Sequence, residues 1–537
     1  MRERLATSAA VIALTLLSFF QFPGHTYLGS DTQIYVPMLE RIWDPSVLAR
    51  DLVATRPHLS YSLYDEIAIA LRWLTHSSFH SVLMAQQLVF RALQILGVYL
   101  LALSFPLQRK FAMLVAALFT LGATIAGPAV LTFEYEPVPR AFAVALIFFA
   151  IGLTAQNHLL AADIVAALAF LYHPPTVAPF WLLYLWLTLS RRDFRDLWPL
   201  AAGIALLFVA SLFQPGVAEP QVFFSRVSPE LEKLQRLRAA YNWVSTWRWG
   251  LIWHYILLCM VALGAIWRIR PKAARLFLVG MPAVGILTIP LSYLLLERLK
   301  WGLIPQFQPA RAVLFVTAFA VIMSAAAGIR AAERARWMES AAWFSIALAV
   351  PAAVPIFSIT FARLLLAAGV AIAISGAVYL QRYRWGPAFL AGAAIAPFFL
   401  LPTLGGVRNY RVLDTPALHD VAEFARANTS KDAVFLFADA GTGAAPGIFR
   451  ALAQRAVYVD WKAGGQANYS ASVALEWWQR WQNVGALVFD ASQLPKLHVL
   501  GIDYVVVTVR NRPADWKPMY ANTEFVLLDL AKTNASP

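Results

Sequence analysis

Cysteine is nearly missing from this sequence: Cys259 is the one cysteine among 537 residues, and it lies inside the apolar run "HYILLCMVAL". A single cysteine can form no intrachain disulfide and cannot build a cysteine-based zinc site. The sequence therefore excludes a disulfide framework and a zinc finger.

Charged residues are scarce as well. They make up 14% of the chain, hydrophobic residues make up 60%, and the mean hydropathy is +0.60. Soluble domains carry roughly 25% charged residues, and a larger core would not explain so large an apolar excess. Lipid as solvent does explain it, because a membrane-spanning helix needs about 20 mostly apolar residues. We predict a polytopic α-helical membrane protein.

The net charge of +14 does not indicate a nucleic-acid partner. Most lysines and arginines fall in short loops between apolar runs, and this placement is typical of a membrane-topology signal. Nucleotide-binding motifs are missing too, since no G-x-G-x-x-G or G-x-x-x-x-G-K-[ST] pattern opens a helix of the C-terminal region.

About thirteen apolar segments are candidate spans, and because the fourth to sixth are short, eleven is the alternative count. The segments are Leu5–Phe22, Val82–Leu103, Phe111–Leu131, Ala141–Ala155, Leu159–Tyr172, Val177–Leu189, Leu197–Phe213, Leu251–Ile266, Leu276–Leu296, Ala312–Gly328, Ala341–Phe357, Leu364–Leu380 and Pro387–Leu404. No cleavage site follows the first segment before Pro23, so we expect an uncleaved anchor.

The loops between the spans alternate in their content of Lys and Arg. With the N-terminus in the cytoplasm, short basic loops such as "PLQRK" and "SRRDFRD" lie inside, and the long mixed loops at 23–81 and 214–250 lie outside. We therefore predict a transmembrane module over residues 1–407 with structured extracytoplasmic loops at 23–81 and 214–250, and an extracytoplasmic domain over 408–537.

The C-terminal region reads as a water-soluble α/β domain. Thr415 is the expected N-cap of a helix that begins at Pro416. The β-branched and aromatic runs "AVFLFAD", "AVYVD", "ALVFD" and "DYVVVTV" alternate with helical stretches. This alternation predicts a small, mainly parallel sheet.

The loop at 214–250 contains "SPELEKLQRLRAAYNWVSTWRWG", with Ser228 as the expected N-cap of a helix. Its arginines and Trp243, Trp247 and Trp249 suit the membrane surface, where Trp rings lie at headgroup depth. A soluble helix that covers the bundle is the alternative, and we favour the membrane-surface interpretation.

The loop at 23–81 begins with "GSDTQIYVPMLERIWDPSVLARD", which carries three aspartates just past the first span. Asp31 fits a helix N-cap before "TQIYVPML". At the boundary of membrane and water it also fits a general base, and one residue can do both. Asp44 reads as a turn residue. Asp51 could pair with Arg50 or Arg56, and both aspartates are candidate secondary carboxylates.

This arrangement resembles the GT-C superfamily of membrane glycosyltransferases. The resemblance covers nearly the whole chain: a first span, a long helical outer loop with an acidic residue just past it, about a dozen spans and an external C-terminal domain. "VPRAFAVALIFFAIGLTAQNHLLAADIVAALAFLYHPP" and "FQPARAVLF" are similar to a bacterial branch related to these enzymes. The resemblance implies that Asp31 is the catalytic carboxylate. Thr32 stands where many members have a second acidic residue, and the loop contains no D-x-D metal motif.

The resemblance implies a glycosyltransferase of the bacterial inner membrane. It would move a sugar from a polyprenyl-phosphate-linked donor to a glycan or lipid acceptor on the extracytoplasmic face. A transporter, or a lipid- or glycan-handling protein without transferase activity, is the alternative, with Arg91 and Asp163 as its ionisable span residues. We expect Arg91 to point into the bundle and meet a carboxylate. The sequence identifies no cofactor and leaves a divalent metal open.

Transfer from a lipid phosphate needs cations for the departing phosphate. Arg311 in "QPAR" and Arg140 in "EPVPR" each enter a span from the outer side, and a guanidinium fork suits two phosphate oxygens, with snorkelling to headgroups as the alternative. His173 in "YHPP" is a third candidate, with a structural hydrogen-bonding role as its alternative. Glu134 and Glu136 are further candidate carboxylates for acid–base work or metal coordination. We expect Glu136 to neutralise Arg140.

Overall fold

A computed structural model of the chain describes residues 2–56, 62–192, 194–213, 224–271, 273–353, 356–404, 413–484 and 489–531. Parts of both predicted outer loops (57–61 and 214–223), residues 354–355 of the span Ala341–Phe357 and the predicted domain boundary at 407/408 lie outside these ranges. Up to residue 404 the described chain is a bundle of helices. Their bounds are α1 (Arg2–Leu16), α2 (Thr32–Trp43), α3 (Tyr64–Thr75), α4 (Phe79–Leu103), α5 (Arg109–Thr120), α6 (Pro139–Ala155), α7 (Leu159–Tyr172), α8 (Pro174–Arg191), α9 (Trp198–Phe213), α10 (Pro229–Arg238), α11 (Trp249–Ile269), α12 (Arg275–Ser292), α13 (Ile304–Phe307), α14 (Val313–Glu333), α15 (Trp337–Ala352), α16 (Phe361–Leu380), α17 (Gly386–Ile395) and α18 (Pro397–Leu400).

Every predicted span overlaps one of these helices. In the described ranges, seven helical stretches are long and apolar enough to cross a membrane, and further apolar helices are shorter. The polytopic helical architecture is confirmed, whereas the count of thirteen stays a prediction. The segment Phe111–Leu131 is wrong in its second half, because α5 ends at Thr120 and an antiparallel hairpin of β1 (Thr124–Ile125) and β2 (Val130–Leu131) follows.

The centre of the bundle is the stretch Ile304–Glu333, whose apolar window is entirely buried. Its main helix, α14, contacts α5, α11, α12, α15 and α16. Beside it, α4 and α6 cross in very close contact at Gly97 and Gly152, where a Cβ on either residue would collide with the backbone of the other helix. Small residues permit such an approach between membrane helices. This contact fixes the start of α6, which carries Arg140, relative to α4.

The loop at 23–81 is helical as predicted, with α2 and α3. The predicted N-cap at Ser228 is confirmed, since its side chain accepts a hydrogen bond from the Leu231 N–H. The membrane-surface interpretation fails for Trp243, which is fully buried, and for Trp247, which is nearly so, whereas Trp249 is 77% exposed and stays consistent with it. Arg238 at the end of α10 donates to the carbonyl of Trp461 at 2.6 Å, so the helix packs against the C-terminal domain.

The C-terminal domain contains α19 (Pro416–Asn428), α20 (Ala445–Ala453), α21 (Ala471–Val484), α22 (Leu494–Val499) and strands β3 (Val434–Phe437), β4 (Ala456–Val457), β5 (Tyr504–Thr508), β6 (Tyr520–Ala521) and β7 (Phe525–Asp529). The predicted N-cap Thr415 is confirmed. The strand order is β4-β3-β5-β7-β6, and β3 runs parallel to both of its neighbours. Strands β6 and β7 are antiparallel additions that the sequence did not indicate, and most of the predicted strand "ALVFD" lies outside the described residues.

Candidate functional site

All three aspartates of "GSDTQIYVPMLERIWDPSVLARD" form ion pairs with cations of the C-terminal domain. The pairs are Asp31 Oδ1 with Lys462 Nζ (2.6 Å), Asp44 Oδ2 with Lys431 Nζ (3.2 Å) and Asp51 Oδ2 with Arg450 Nε (2.7 Å). The expected pairing of Asp51 with Arg50 or Arg56 is wrong, because those arginines pair with Asp503 and Glu476. The acidic loop is thus the face on which the C-terminal domain docks.

Asp31 precedes α2 but does not cap it, because its side chain accepts no hydrogen bond from the helix amides. Its Oδ2 accepts from Arg140 Nη1 at 2.6 Å and its Oδ1 accepts from Lys462 Nζ at 2.6 Å. Burial would raise the pKa of Asp31, but Lys462 and Arg140 outweigh burial and hold the pKa well below its usual range. Asp31 is therefore ionised at neutral pH, which is the state that a general base requires.

Glu136 fixes the backbone that carries Asp31. Its buried carboxylate accepts hydrogen bonds from the N–H of Ser30 (2.5 Å), the N–H of Asp31 (2.7 Å) and the hydroxyl of Thr32 (2.6 Å). Burial, and then the negative charge of Asp31, raise the pKa of Glu136. Thr32 Oγ1 also accepts from the Leu28 N–H at 2.9 Å, so this threonine ties the loop to Glu136.

Arg140 lies in the first turn of α6, between two carboxylates. Its Nη1 donates to Asp31, and its Nε donates to Glu134 Oε1 at 2.8 Å. The expectation that Glu136 neutralises Arg140 is wrong, since Glu134 fills that role and its side chain is 3% exposed. This arrangement holds the guanidinium in one orientation beside Asp31.

Arg91 supports the same loop from inside the bundle. The expected carboxylate partner is wrong: within the described ranges, the Arg91 guanidinium donates to the backbone carbonyls of Ser18, Gly24 and Glu134 at 2.6–2.8 Å. Buried charges in membrane proteins are commonly satisfied by carbonyls in this way. Arg91 therefore positions the chain around Glu134.

A narrow cavity with room for about 20 Å³ lies beside Arg140. Its lining is Val130, Leu131, Glu134, Arg140, Val144, His173, Pro175, Thr176, Phe307, Gln308, Arg311, Ala312, Leu314 and Phe315. The structure thus brings together on one cavity the three residues predicted to bind phosphate. Asp31 is not part of the lining but is separated from it only by its ion pair with Arg140, whereas Asp44 and Asp51 lie elsewhere on the docking face.

Arg311 and His173 contribute to this cavity in different ways. Arg311 Nε is buried and has no hydrogen-bond partner among the described residues. Because buried N–H groups are nearly always paired, this donor is equipped to bind an anion. His173 caps α8, with its Nδ1 accepting from the Thr176 N–H at 3.3 Å, so it has a structural role as well as a place in the cavity wall.

The carboxylates of this region are all held by cations or by N–H and O–H donors. Asp31 is paired with two cations, Glu134 is paired with Arg140, and Glu136 accepts three N–H or O–H donors. Across the described residues, no group of three His, Cys, Asp or Glu side chains is placed to hold a metal ion.

Lys462 is the site residue that sequence reasoning missed. It opens the segment Lys462–Asn468, a few residues after β4. The carboxyl end of a parallel strand is where α/β domains place ligand-binding side chains, and this was the one local signal. Its partner Asp31 lies 431 residues earlier in the chain, so no local pattern could show the pair.

Comparisons with known proteins show similarity at two levels. The family model described as "Domain of unknown function (DUF6798)" matches residues 416–484, which lie in the C-terminal domain. No curated protein matches the sequence. Among solved structures, the chain is similar to ArnT from Cupriavidus metallidurans bound to undecaprenyl phosphate, with 14% identity and a TM-score of 0.51 over 99% of this chain and 98% of that chain.

Two further structures are more distant. ArnT from the same organism in the apo state has 15% identity and a TM-score of 0.42 over 99% of this chain and 98% of that chain. Arabinofuranosyltransferase AftD from Mycobacteria has 15% identity and a TM-score of 0.38 over 96% of this chain and 35% of that chain. The full-length match to ArnT with undecaprenyl phosphate, a GT-C protein, establishes the architecture. The chain is a multi-pass membrane protein with the GT-C fold and a C-terminal α/β domain.

Proposed function

We propose that the protein transfers a sugar from a polyprenyl-phosphate-linked donor to an acceptor hydroxyl on the extracytoplasmic face of the bacterial inner membrane. The observation that carries this proposal is the position of Arg140, which lines a cavity with Arg311 and His173 and also pairs with Asp31 at 2.6 Å. An anion bound by Arg140 would lie next to an ionised carboxylate. The GT-C fold, shared with a protein that binds undecaprenyl phosphate, supports the same chemistry.

The reaction needs one base and several cations. Asp31 takes the proton of the acceptor hydroxyl while the hydroxyl oxygen forms a bond to the anomeric carbon. The bond from that carbon to the phosphate oxygen breaks, and the lipid phosphate leaves with the electron pair. Arg140 and Arg311 stabilise the developing charge on the phosphate.

The ion pairs of Asp31 make its basicity depend on donor binding. While Lys462 and Arg140 hold the carboxylate, it is a weak base, since both cations lower its pKa. An incoming phosphate offers Arg140 a second acceptor. When the donor is bound, the pKa of Asp31 rises and its carboxylate becomes accessible to the acceptor hydroxyl.

Arg311→Ala is expected to weaken binding of undecaprenyl phosphate about 10- to 100-fold, because a charge-assisted hydrogen bond contributes about 1.5–3 kcal/mol. Arg298→Ala is the control: Arg298 is an exposed cation that does not line this cavity. Binding would be measured on the purified protein by thermophoresis. Equal losses in the two variants would show that Arg311 only contributes general surface charge.

Lys462→Gln is expected to move the acidic limb of the pH profile of kcat/KM to higher pH. Removing Lys462 raises the pKa of Asp31, so the free protein loses the ionised base at a higher pH than before. Lys431→Gln is the matched control, since Lys431 pairs with Asp44 on the same docking face. An acidic limb that stays in place in Lys462→Gln would argue against Asp31 as the group that limits kcat/KM.

A further inference from the structure

The parallel part of the C-terminal sheet contains a topological switch point. From β3 the chain passes through α20 to β4 on one side of β3, and from β4 it passes through α21 and α22 to β5 on the other side. Because the two connections lead to opposite sides of β3, a crevice opens at the carboxyl ends of these strands. Open α/β sheets bind their ligands in such a crevice, so a ligand of this domain is expected there.

A cavity with room for about 240 Å³ lies in this crevice, compared with about 20 Å³ for the cavity beside Arg140. Its walls include Asp439 after β3, Asp460 after β4, Trp481 of α21, Phe489, and Asn511 after β5. One water molecule needs about 10–15 Å³ of such room, so the cavity accommodates about a dozen non-hydrogen atoms. A single sugar ring with its hydroxyl groups has this size.

Asp439 is a fixed carboxylate with one oxygen to spare. Its Oδ2 accepts hydrogen bonds from the Thr508 N–H (2.8 Å), the Thr508 hydroxyl (2.5 Å) and Asn511 Nδ2 (2.8 Å). These three donors hold the side chain in one orientation. Its Oδ1 has no donor among the described residues and is left to accept from a ligand.

The charges of the cavity walls do not suit an anion. No lysine, arginine or histidine is among the described residues that line the cavity, so a phosphate group would find no cation there. Asp460 is already satisfied, since it pairs with the buried Arg450 and its Oδ1 accepts the Ala463 N–H at 2.9 Å. The polar groups that remain for a ligand are the free oxygen of Asp439 and the amide of Asn511.

Aromatic rings form much of the remaining wall. Trp481 and Phe489 line the cavity, and the ring of Trp461 lies 4.9 Å from that of Trp481, which fixes its position. A sugar ring has an apolar face for an aromatic side chain and hydroxyls that both donate and accept. The Asn511 amide offers both as well, whereas an ammonium ion can only donate and would leave its N–H unused. The walls therefore favour an uncharged polyhydroxyl ring over a cation.

We propose that this cavity is a saccharide-binding site of the C-terminal domain. Asp439 Oδ1 accepts from one ring hydroxyl, the Asn511 amide binds a neighbouring hydroxyl, and Trp481 packs against the face of the ring. The ligand class is an uncharged sugar residue of a glycan. The site shares no lining residue with the cavity beside Arg140, so the inference does not depend on the proposed transfer reaction.

The test is calorimetric titration of the purified full-length protein without any lipid phosphate. The probes are glucose, galactose, mannose and N-acetylglucosamine, with ethanolamine and inorganic phosphate as charged probes of similar or smaller size. At least one saccharide is expected to bind with a Kd on the order of 1 mM, as the size of a single ring allows. The two charged probes are expected not to bind.

Three variants test the assigned contacts with the saccharide that binds. Asp439→Asn is expected to weaken it about 10- to 100-fold, because an ionised acceptor is lost, and Asn511→Ala about 2- to 10-fold. Trp481→Ala is expected to weaken it about tenfold or more, because the ring face loses its packing partner. Asn511 lies in an exposed turn, so its variant is expected to keep the melting temperature of the unmodified protein even if Trp481→Ala does not fold.

Trp478→Ala is the matched control for Trp481→Ala. It makes the same change on the same helix, at a ring that does not line the cavity, and is expected to leave the saccharide affinity unchanged. Equal losses in the two tryptophan variants, or full affinity in both Asp439→Asn and Asn511→Ala, would place the saccharide elsewhere and overturn the inference.

Two results with the unmodified protein would also overturn it. Binding of none of the four saccharides would remove the site, and binding of ethanolamine in their place would make it a cation site. Failure of the proposed function would show separately, as a protein that binds a saccharide in this assay but does not bind undecaprenyl phosphate.

Discussion

Asp31→Asn is expected to lower the rate of sugar transfer by about 100- to 10,000-fold, the usual contribution of a positioned general base. The amide keeps the size and the hydrogen-bonding reach of the side chain but cannot accept the acceptor's proton. It also removes a negative charge next to Arg140 and Lys462, so both cations stay available for phosphate. We therefore expect undecaprenyl phosphate to bind at least as tightly as to the unmodified protein. Single-turnover transfer from a labelled lipid-linked sugar and equilibrium binding would be measured on the same preparation.

Asp44→Asn is the matched control for this experiment. It makes the same change in the same loop, but the Asp44 side chain is 43% exposed, pairs with Lys431 and does not line the cavity beside Arg140. Transfer is expected to stay within about twofold of the unmodified rate, as for most surface substitutions. If Asp31→Asn retained full transfer, or if both variants lost it equally, Asp31 would not be the base.

The architecture could be predicted because lipid imposes strong local rules. Long apolar runs such as Val82–Leu103 and Leu364–Leu380 identify helices from composition alone. The predicted span Phe111–Leu131 was wrong in its second half because the hairpin that follows Thr120 is as apolar as a helix. Hydropathy alone does not distinguish a buried strand from a membrane span. The Trp-rich stretch after Ser228 could be interpreted only in part, since Trp249 is exposed but Trp243 and Trp247 are not. Trp rings suit a protein interior as well as a membrane surface, and Trp243 is buried against protein.

The site could be predicted only in part because its contacts join distant segments. Arg140, Arg311 and His173 were recognised from their positions at the ends of spans, and they do meet on one cavity. Lys462 gave no comparable signal, since its role depends on how the C-terminal domain docks on the acidic loop.

The transporter hypothesis loses one of its two supporting residues in the structure. Arg91 is held by three backbone carbonyls and supports the chain around Glu134. Asp163 remains as a buried carboxylate in α7 with no hydrogen-bond partner among the described residues. A transport cycle needs a site that both sides of the membrane can reach. The polar residues of the proposed phosphate site lie instead around Arg140 and Arg311, close to the docked C-terminal domain.

Arg450→Ala is expected to destabilise the C-terminal domain and its docking by about 3–5 kcal/mol, the usual effect of breaking a buried ion pair. Arg450 is 1% exposed and pairs with Asp51 of the acidic loop and with Asp460 of its own domain. Asp51 is fully buried and also accepts the Val457 N–H at 3.0 Å, so one side chain links the loop to β4. Without the guanidinium, two buried carboxylates would face each other uncompensated. The melting temperature, followed by tryptophan fluorescence, is expected to fall by roughly 10 °C.

Arg50→Ala provides the comparison for that result, because Arg50 and Asp503 form a half-exposed pair across the same interface. Such surface pairs contribute about 0–1 kcal/mol, so this variant should melt close to the unmodified protein. Arg450→Met combined with Asp51→Asn and Asp460→Asn should recover most of the loss, since it removes the buried charges together. Equal melting temperatures for Arg450→Ala and Arg50→Ala would mean that Arg450 does not hold the C-terminal domain on the acidic loop. The Lys462–Asp31 pair would then depend on other contacts of the interface.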